Sequence, residues 1–326
     1  MAPNVSTSRF VRYQKLRYYA IRIRKMEQTA RNELSGRKNR QVRPSPIRPA
    51  ERSHCRHRTH PHLIFLPQPH EPAILSHPMS TTAILQARMG STRLPGKVMM
   101  DLHGEPLIHH ILTRIKSVRT IDQVIVATTT NPEDDRLAEY VRQQGVLAFR
   151  GDALDVLGRF HGCAQEFVAG LPDPCIMRLT ADNALIDPAI LGDAVMYFQR
   201  FRPDYLRYGT GLPIGMIQEV FSFDSLVVAH REAKDQACRE HVTPYLYWNK
   251  DCFKCFEYVW EHELGPLRWT VDTEQDLALV RAIYHELYDK SPLFSCADIL
   301  DAYPSHPEWR EINAHIQQIQ PVNPNR

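Results

Sequence analysis

The chain has 326 residues, of which 43% are hydrophobic, and its 40 Lys and Arg residues against 37 Asp and Glu give a net charge of +3. This length allows one large domain or two ordinary ones. Because there is neither an apolar run of about 18 residues nor a secretory segment, the sequence predicts a cytoplasmic protein without a membrane partner.

Residues 1–78 differ in composition from the rest of the chain. They hold 13 Arg and 3 Lys against 4 Glu and no Asp, a net charge of +12, together with 9 of the 24 Pro. Without helical or strand periodicity, they predict a disordered leader. An organelle transit peptide and a nucleic-acid-binding arm are alternatives. We favour a translation start at Met79, and we expect no nucleic-acid partner.

After Met79, predicted strands and helices alternate with short connections. Apolar runs predict strands at 82–87, 122–130, 146–151 and 174–182, and apolar residues at helical spacing predict helices at 105–118, 131–145 and 153–170. This alternation predicts an α/β fold with a mostly parallel sheet and helices on both faces. Sites on such sheets lie at the carboxyl ends of the strands.

From residue 204 to 262 the pattern changes to a mixed α+β insertion. Strands are predicted at 203–209, 217–223 and 252–260, with a helix near 222–233, and we expect this aromatic segment to cover the edge of the sheet. Residues 267–288 then predict a strand, an acidic turn and a long helix, in which Thr273 and Asp276 approximate a capping box. The domain is predicted to span 79–300, and 301–326 to be a solvated tail.

The stretch QARMGSTRLPGKVM, residues 86–99, follows the first predicted strand. It fails the Walker A rule, because five residues separate Gly90 from Gly96 and Val98 stands where a hydroxyl is required. An ATPase P-loop is therefore disfavoured. A phosphate-binding loop is still compatible with its small residues and its three cations, Arg88, Arg93 and Lys97, and a solvated basic turn is the alternative.

Two aspartates follow predicted strands, Asp182 in RLTADNALIDP and Asp272 in RWTVDTEQDL. Each alone is more simply a cap at the end of a strand. Together with the cationic loop they favour Mg²⁺-dependent phosphoryl chemistry, because Mg²⁺ takes one or two carboxylates plus phosphate oxygens.

Seven motifs resemble the cytidylyltransferase family that activates sugar acids: QARMGSTRLPGKVM, VIVATTTNPEDD, DVLGRF, RLTADNALIDP, EVFSF, EHVTPYLY and RWTVDTEQDL. The resemblance covers about residues 82–285 and is strongest to the spore coat polysaccharide biosynthesis type. It is weaker to the 3-deoxy-manno-octulosonate and acylneuraminate enzymes. It implies a Rossmann-like nucleotidyltransferase fold, a homodimer formed through residues 204–262, and Mg²⁺-dependent transfer of CMP from CTP to a sugar or sugar acid with release of pyrophosphate.

The resemblance also implies roles for individual residues. The CTP phosphates would be held by Arg88, Ser91, Arg93 and Lys97, and Mg²⁺ by Asp182 and Asp272. Thr128 and Arg159 would contact the nucleoside, and Glu219, His241 and Tyr245 would meet the sugar acid. The residues expected to carry catalysis are Arg88, Arg93, Lys97, Asp182 and Asp272.

The chain departs from the family pattern at a few positions. The family has Gly, Cys and Pro in place of Ala181, Asn183 and Ala184, and an acidic residue near Ile217 and Gln218. The last change removes a polar group from the expected sugar pocket, so the acceptor is predicted to differ from the known sugar acids. A non-catalytic nucleotide-binding homologue is one alternative. A glycosyltransferase of related fold is another, although the body of the chain has no D-x-D motif.

Overall fold

The computed structural model describes the backbone of residues 64–65 and the complete residues 79–260 and 264–318. The rest of the predicted leader, and the last residues of the predicted tail, lie outside this part of the chain. Residues 64–65 form a short strand, which the sequence does not predict.

The main sheet has eight strands in the order β1-β10-β8-β9-β7-β2-β5-β6. They are β1 (Ile64–Phe65), β2 (Thr81–Gln86), β5 (Gln123–Thr129), β6 (Leu147–Gly151), β7 (Cys175–Thr180), β8 (Tyr205–Thr210), β9 (Gln218–Ser222) and β10 (Cys255–Val259), while β3 (Asp101–Leu102) and β4 (Glu105–Pro106) form a separate pair. Only β9 runs antiparallel to its neighbours, β7 and β8. The predicted mostly parallel sheet is confirmed.

Seven α-helices lie between strands of the described chain, and three more follow β10. They are α1 (Leu107–Lys116), α2 (Asp135–Gln143), α3 (Val156–Phe167), α4 (Pro188–Phe201), α5 (Phe223–Glu232), α6 (Gln236–His241), α7 (Pro244–Trp248), α8 (Glu274–Leu287), α9 (Cys296–Ala302) and α10 (Trp309–Ile312). Among the described residues, no helix combines the length and apolar character that a membrane crossing needs.

Both faces of the sheet are covered, as the continuous apolar runs predict. All five residues 81–85 of the central strand β2 are buried, although successive side chains point to opposite faces. On one face, Ile84 and Ile125 pack in the same cluster as Leu157 and Phe160 of α3 and Leu226 of α5. This packing leaves the ends of the strands as the accessible edge.

Within the segment 204–262, the strands β8, β9 and β10 cover the edge of β7 by extending the sheet. β9 pairs with β7 on one side and with β8 on the other, and β10 continues beyond β8. The pairing with β9 satisfies the backbone of β7, which an overlying insertion would have left as an exposed edge. The segment thus covers the edge of β7, as expected, and it does so by strand pairing.

The strand predicted at the start of 267–288 is also absent. Within the described residues this stretch makes a single bridge, Ile214 to Arg268, and the nitrogen of Val271 donates to the carbonyl of Asp182. The helix that follows is confirmed. Thr273 caps it, and Thr273 and Asp276 form the predicted capping box.

Part of the C-terminal segment packs against the domain and is not a solvated tail. Tyr303, Trp309 and Asn313 are buried, and the hydroxyl of Tyr303 accepts a hydrogen bond from Nε1 of Trp269 at 2.9 Å. The sequence hides this because short helices with interspersed Pro and His carry little periodicity. Residues 303–313 therefore belong to the folded domain.

The buried His110 predicts how stability depends on pH. Nε2 of His110 donates to the carbonyl oxygen of Leu102 at 2.5 Å. Burial, with the nearby charges of His109 and Arg114, lowers the pKa of His110 from 6.5 to about 4. Between pH 6.5 and pH 4, His110 is protonated in the unfolded chain and neutral in the folded chain. Its contribution to the free energy of unfolding is therefore fully present above pH 6.5, and about 3 kcal/mol of it is lost as the pH falls to 4.

Urea unfolding of the wild type and His110→Gln between pH 7 and pH 4 measures this contribution. We expect the wild type to lose more stability than the variant over this range. Equal losses in the two proteins would contradict the assignment to His110.

Candidate active site

The basic loop after β2 is fastened to the sheet by a buried carboxylate. Asp134 accepts a hydrogen bond from the backbone nitrogen of Met89 at 2.6 Å and another from the hydroxyl of Thr129. The backbone nitrogen of Gly96 donates to the carbonyl of Met89 at 2.8 Å, and its positive φ of 71° suits a glycine at this turn. The loop is thus closed on itself at the carboxyl end of β2.

Lys97 lies between the two predicted metal-binding aspartates. Its Nζ is 2.9 Å from Oδ1 of Asp272 and 3.7 Å from Oδ2 of Asp182, and it donates to the carbonyl of Val271 at 2.7 Å. The side chains of Lys97 and Asp272 are each 12% exposed and that of Asp182 is 25% exposed, so the cluster is accessible from one side. One ammonium group therefore bridges carboxylates from distant parts of the chain.

The backbone brings Asp182 and Asp272 together. The nitrogen of Val271 donates to the carbonyl of Asp182 at 2.7 Å, which joins the two segments directly. Asp182 follows β7 as predicted. Asp272, in contrast, does not follow a strand of the sheet, and this hydrogen bond places it where a strand end was expected.

Asp272 is surrounded by cations. Besides Lys97, its carboxylate contacts Nη2 of Arg93 at 3.1 Å and Nη2 of Arg268 at 2.7 Å. Burial alone would raise the pKa of Asp272, but Lys97, Arg93 and Arg268 hold it below its usual value. Asp272 is therefore ionised at neutral pH, as a metal ligand must be.

Asn183, one of the departures from the family pattern, supports Asp182. Its Nδ2 donates to the hydroxyl of Thr180 at 2.8 Å, and that hydroxyl donates to Oδ1 of Asp182 at 2.5 Å. Ala184 keeps only a backbone role, because its carbonyl accepts from the hydroxyl of Tyr284 at 2.8 Å. The substitution at 183 is thus compatible with an intact carboxylate.

The other predicted nucleotide-binding residues differ in their exposure. Arg88 is exposed and donates to the carbonyl of Ala153 at 3.2 Å. Arg159 is buried, and burial together with the charge of Arg88 lowers its pKa to about 10. Thr128 is fully buried, and its hydroxyl has no partner in the described structure. Ser91 is half-buried within the loop. The nucleoside roles of Thr128 and Arg159 stay predictions.

The side chain of Glu219 is 13% exposed, and both of its carboxylate oxygens accept hydrogen bonds. It pairs with Nη1 of Arg178 at 2.8 Å and accepts from the hydroxyls of Tyr205 and Thr243 at 2.6 and 2.8 Å. Burial would raise its pKa, but Arg178 and these hydroxyls keep it below the usual value. Glu219 therefore holds Arg178, Tyr205 and Thr243 in place, and its role toward the sugar acid stays a prediction.

Arg178 was missed by the sequence analysis. Its guanidinium extends from β7 and lies between Glu219 and Gln86. Nη2 donates to Oε1 of Gln86 at 3.4 Å, and the buried Nε has no partner within the described residues. An arginine inside an apolar strand run is the signal that could have identified it.

His241 and Tyr245 flank a strained turn. Val242 has φ 71° and ψ −59°, and the nitrogen of Thr243 donates to the carbonyl of His241 at 2.9 Å, which is the geometry of a classic γ-turn. Burial and Arg178 lower the pKa of His241, against the opposing effect of Glu240 and Glu219. The half-buried ring of Tyr245 packs against Phe253, and its role toward the sugar acid stays a prediction.

Asp182 and Asp272 are the groups that could hold a metal. No cluster of three or more His, Cys, Asp or Glu with metal-binding geometry occurs in the described ranges. The two carboxylates lie on either side of the ammonium group of Lys97. A pair of carboxylates fits Mg²⁺, which completes its coordination shell with water and phosphate oxygens. The donor set would not suit zinc.

Comparison with known proteins gives the family. Residues 82–282 match the sequence profile of the cytidylyltransferases. The chain belongs to the cytidylyltransferase family. An uncharacterized protein of Methanocaldococcus jannaschii is 35% identical over 247 residues, which are 74% of this chain and 97% of the relative. The spore coat polysaccharide biosynthesis protein SpsF of Bacillus subtilis is 29% identical over 69% of this chain and 94% of its own length.

The fold of this cytidylyltransferase agrees with a solved structure. A cytidylyltransferase from Leptospira borgpetersenii superposes with a TM-score of 0.66 and 31% identity, over 74% of this chain and 99% of that one. The predicted family, the α/β nucleotidyltransferase fold and the assignment as an enzyme are confirmed. The protein is therefore a nucleotidyltransferase.

Proposed function

We propose that this cytidylyltransferase transfers CMP from CTP to a sugar acid, depends on Mg²⁺ and releases pyrophosphate. The observation that carries the proposal is the position of Lys97, one of the cations of the basic loop, between Asp182 and Asp272. The name of the SpsF relative supports a place in polysaccharide precursor synthesis. A homodimer formed through residues 204–262 and a cytoplasmic location are part of the same proposal.

The acceptor hydroxyl attacks the α-phosphorus in line, and negative charge builds on the departing pyrophosphate. Arg88, Arg93 and Lys97 stabilise that charge, as preorganised cations do in other phosphoryl transfers. When bound at Asp182 and Asp272, Mg²⁺ supplies Lewis-acid neutralisation of the phosphate oxygens.

The acceptor carboxylate would lie on the other side of the cluster, at Arg178. This guanidinium donates to Glu219, and the planar arrangement of its N–H donors is suited to bind the two oxygens of a carboxylate. The neighbouring His241 has a pKa below its usual value and is neutral at pH 7, so it can orient the acceptor hydroxyl or take its proton.

Pyrophosphate release tests the proposal. The full chain is incubated with Mg²⁺, a panel of sugar acids, and CTP, GTP, ATP or UTP in turn. We expect release only with CTP and a matching acid. CTP binding without release from any acceptor would instead indicate a non-catalytic homologue.

Replacement of Arg178 tests the acceptor pocket. We expect Arg178→Met to raise the KM for the acceptor about 10- to 100-fold with little change in the KM for CTP, because a charged hydrogen bond is lost. Arg178→Met leaves the carboxylate of Glu219 without its cationic partner. The double variant Arg178→Met/Glu219→Gln removes that unpaired charge and is the control for it. Arg202→Met, at an exposed ion pair with Asp173, is the matched control. Equal effects on both KM values would contradict the assignment.

A further inference from the structure

The C-terminal segment after α10 contacts a buried ion pair behind Asp272. Nδ2 of Asn313 donates to Oδ1 of Asp276 at 2.8 Å and to the carbonyl oxygen of Arg268 at 2.9 Å. These two acceptors use both hydrogens of the amide. The exposed Gln318 accepts from Nη1 of Arg268. The segment therefore contacts both members of the Arg268–Asp276 ion pair.

Asp276 fixes both a side chain and a stretch of backbone. It is fully buried, and it accepts from Nε and Nη2 of Arg268 at 2.9 and 3.0 Å. It also accepts from the backbone nitrogens of Asp272 and Thr273, at 3.0 and 3.1 Å. A shift of Asp276 would thus move the chain that carries Asp272.

Arg268 connects this pair to the site. Its Nη2 also donates to Oδ2 of Asp272 at 2.7 Å, while Oδ1 of Asp272 contacts Lys97 at 2.9 Å on the side of Asp182. The guanidinium thus takes one carboxylate oxygen and leaves the other directed to the site. Partners of this kind orient metal ligands in other proteins.

We infer that Asn313 is a positioning residue for the carboxylate of Asp272. Acting through Asp276 and Arg268, it holds Asp272 in the orientation that a divalent cation needs. The inference rests on the proposed function, because the metal role of Asp272 is part of it. It makes the C-terminal segment a component of the active site, whereas a segment that only fastens the chain end would leave metal affinity unchanged.

Binding of Mn²⁺ tests this without turnover. The free Mn²⁺ signal is followed by electron paramagnetic resonance during titration of the full chain with CTP present and no acceptor. We expect Asn313→Ala to raise the dissociation constant about 10- to 100-fold. We expect a parallel rise in the Mg²⁺ concentration at half-maximal rate, with a smaller change in the KM for CTP.

Tyr303→Phe is the matched control. Tyr303 lies shortly before α10, and the change removes its buried hydrogen bond with Trp269, next to Arg268. Within the described residues, Tyr303 has no hydrogen bond to Asp276 or Asp272. We expect this variant to lose stability and keep the wild-type Mn²⁺ affinity. Asn313→Ala with wild-type affinity, or Tyr303→Phe with an equal loss of affinity, would overturn the inference.

Gln318→Ala keeps the test decisive if Asn313→Ala does not fold. Gln318 is exposed, so its removal spares the core, and we expect a loss of Mn²⁺ affinity of about two- to tenfold. An unchanged affinity would then overturn the inference. A wild-type protein that binds CTP but no Mn²⁺ would overturn the metal role itself, and with it the proposed function.

Discussion

Asp182→Asn and Asp272→Asn are each expected to lower the rate of CMP transfer about 100-fold or more, the loss seen when one preorganised electrostatic group is removed from a transition state. Each change removes one of two carboxylates that surround a single cationic position. The shape of the side chain is kept, so the loss should lie in kcat and in metal binding, with folding preserved. Initial rates of pyrophosphate release measure it.

The matched control for both variants is Asp289→Asn. Asp289 is an exposed carboxylate that pairs with His103, away from the site. Its replacement should leave the rate unchanged. A fall of less than tenfold in both site variants, with Mg²⁺ saturating, would show that these aspartates do not carry the chemistry.

Lys97→Met is expected to lower the same rate about 10²- to 10³-fold, because Lys97 would contact the leaving pyrophosphate. The variant has a second signature. Without the ammonium group, Asp182 and Asp272 repel each other, so the protein should lose thermal stability in the absence of divalent cations. Added Mg²⁺ should then raise the Tm of the variant more than that of the wild type.

Lys290→Met provides the comparison for this prediction, since Lys290 forms an exposed ion pair with Glu286 on α8. Its rate and its Tm response to Mg²⁺ should match the wild type. Lys97→Met that keeps the wild-type rate would remove Lys97 from the proposed mechanism, and an unchanged Tm response would argue against a cation site between the two aspartates.

The parallel half of the fold could be predicted because its strands are buried on both faces. Runs such as residues 124–127 are apolar throughout, and the helices between them begin and end at clear polar or glycine signals. The position of Asp182 follows from this, since a residue just after a parallel strand must lie at the carboxyl edge. The same regularity located the loop that holds Lys97.

Other parts could not be predicted, because they depend on pairing across the fold. Leu267, Trp269 and Val271 alternate as in a strand, yet only a bridge to Ile214 forms. The periodicity of neither strand indicates that Arg178 of β7 forms an ion pair with Glu219 of the adjacent strand β9. The contribution of Asn313 is equally hidden, because its partner Asp276 lies far away in the chain.

The γ-turn at Val242 has a consequence for selectivity. A β-branched residue with positive φ costs on the order of 1–3 kcal/mol, and the chain holds this conformation through the hydrogen bond from Thr243 to Glu219. The free protein therefore bears the ordering cost before the acceptor arrives. On the proposal that His241 meets the acceptor, this turn is a preformed part of the acceptor pocket, so we expect a narrow set of acceptors that bind without a slow closing step.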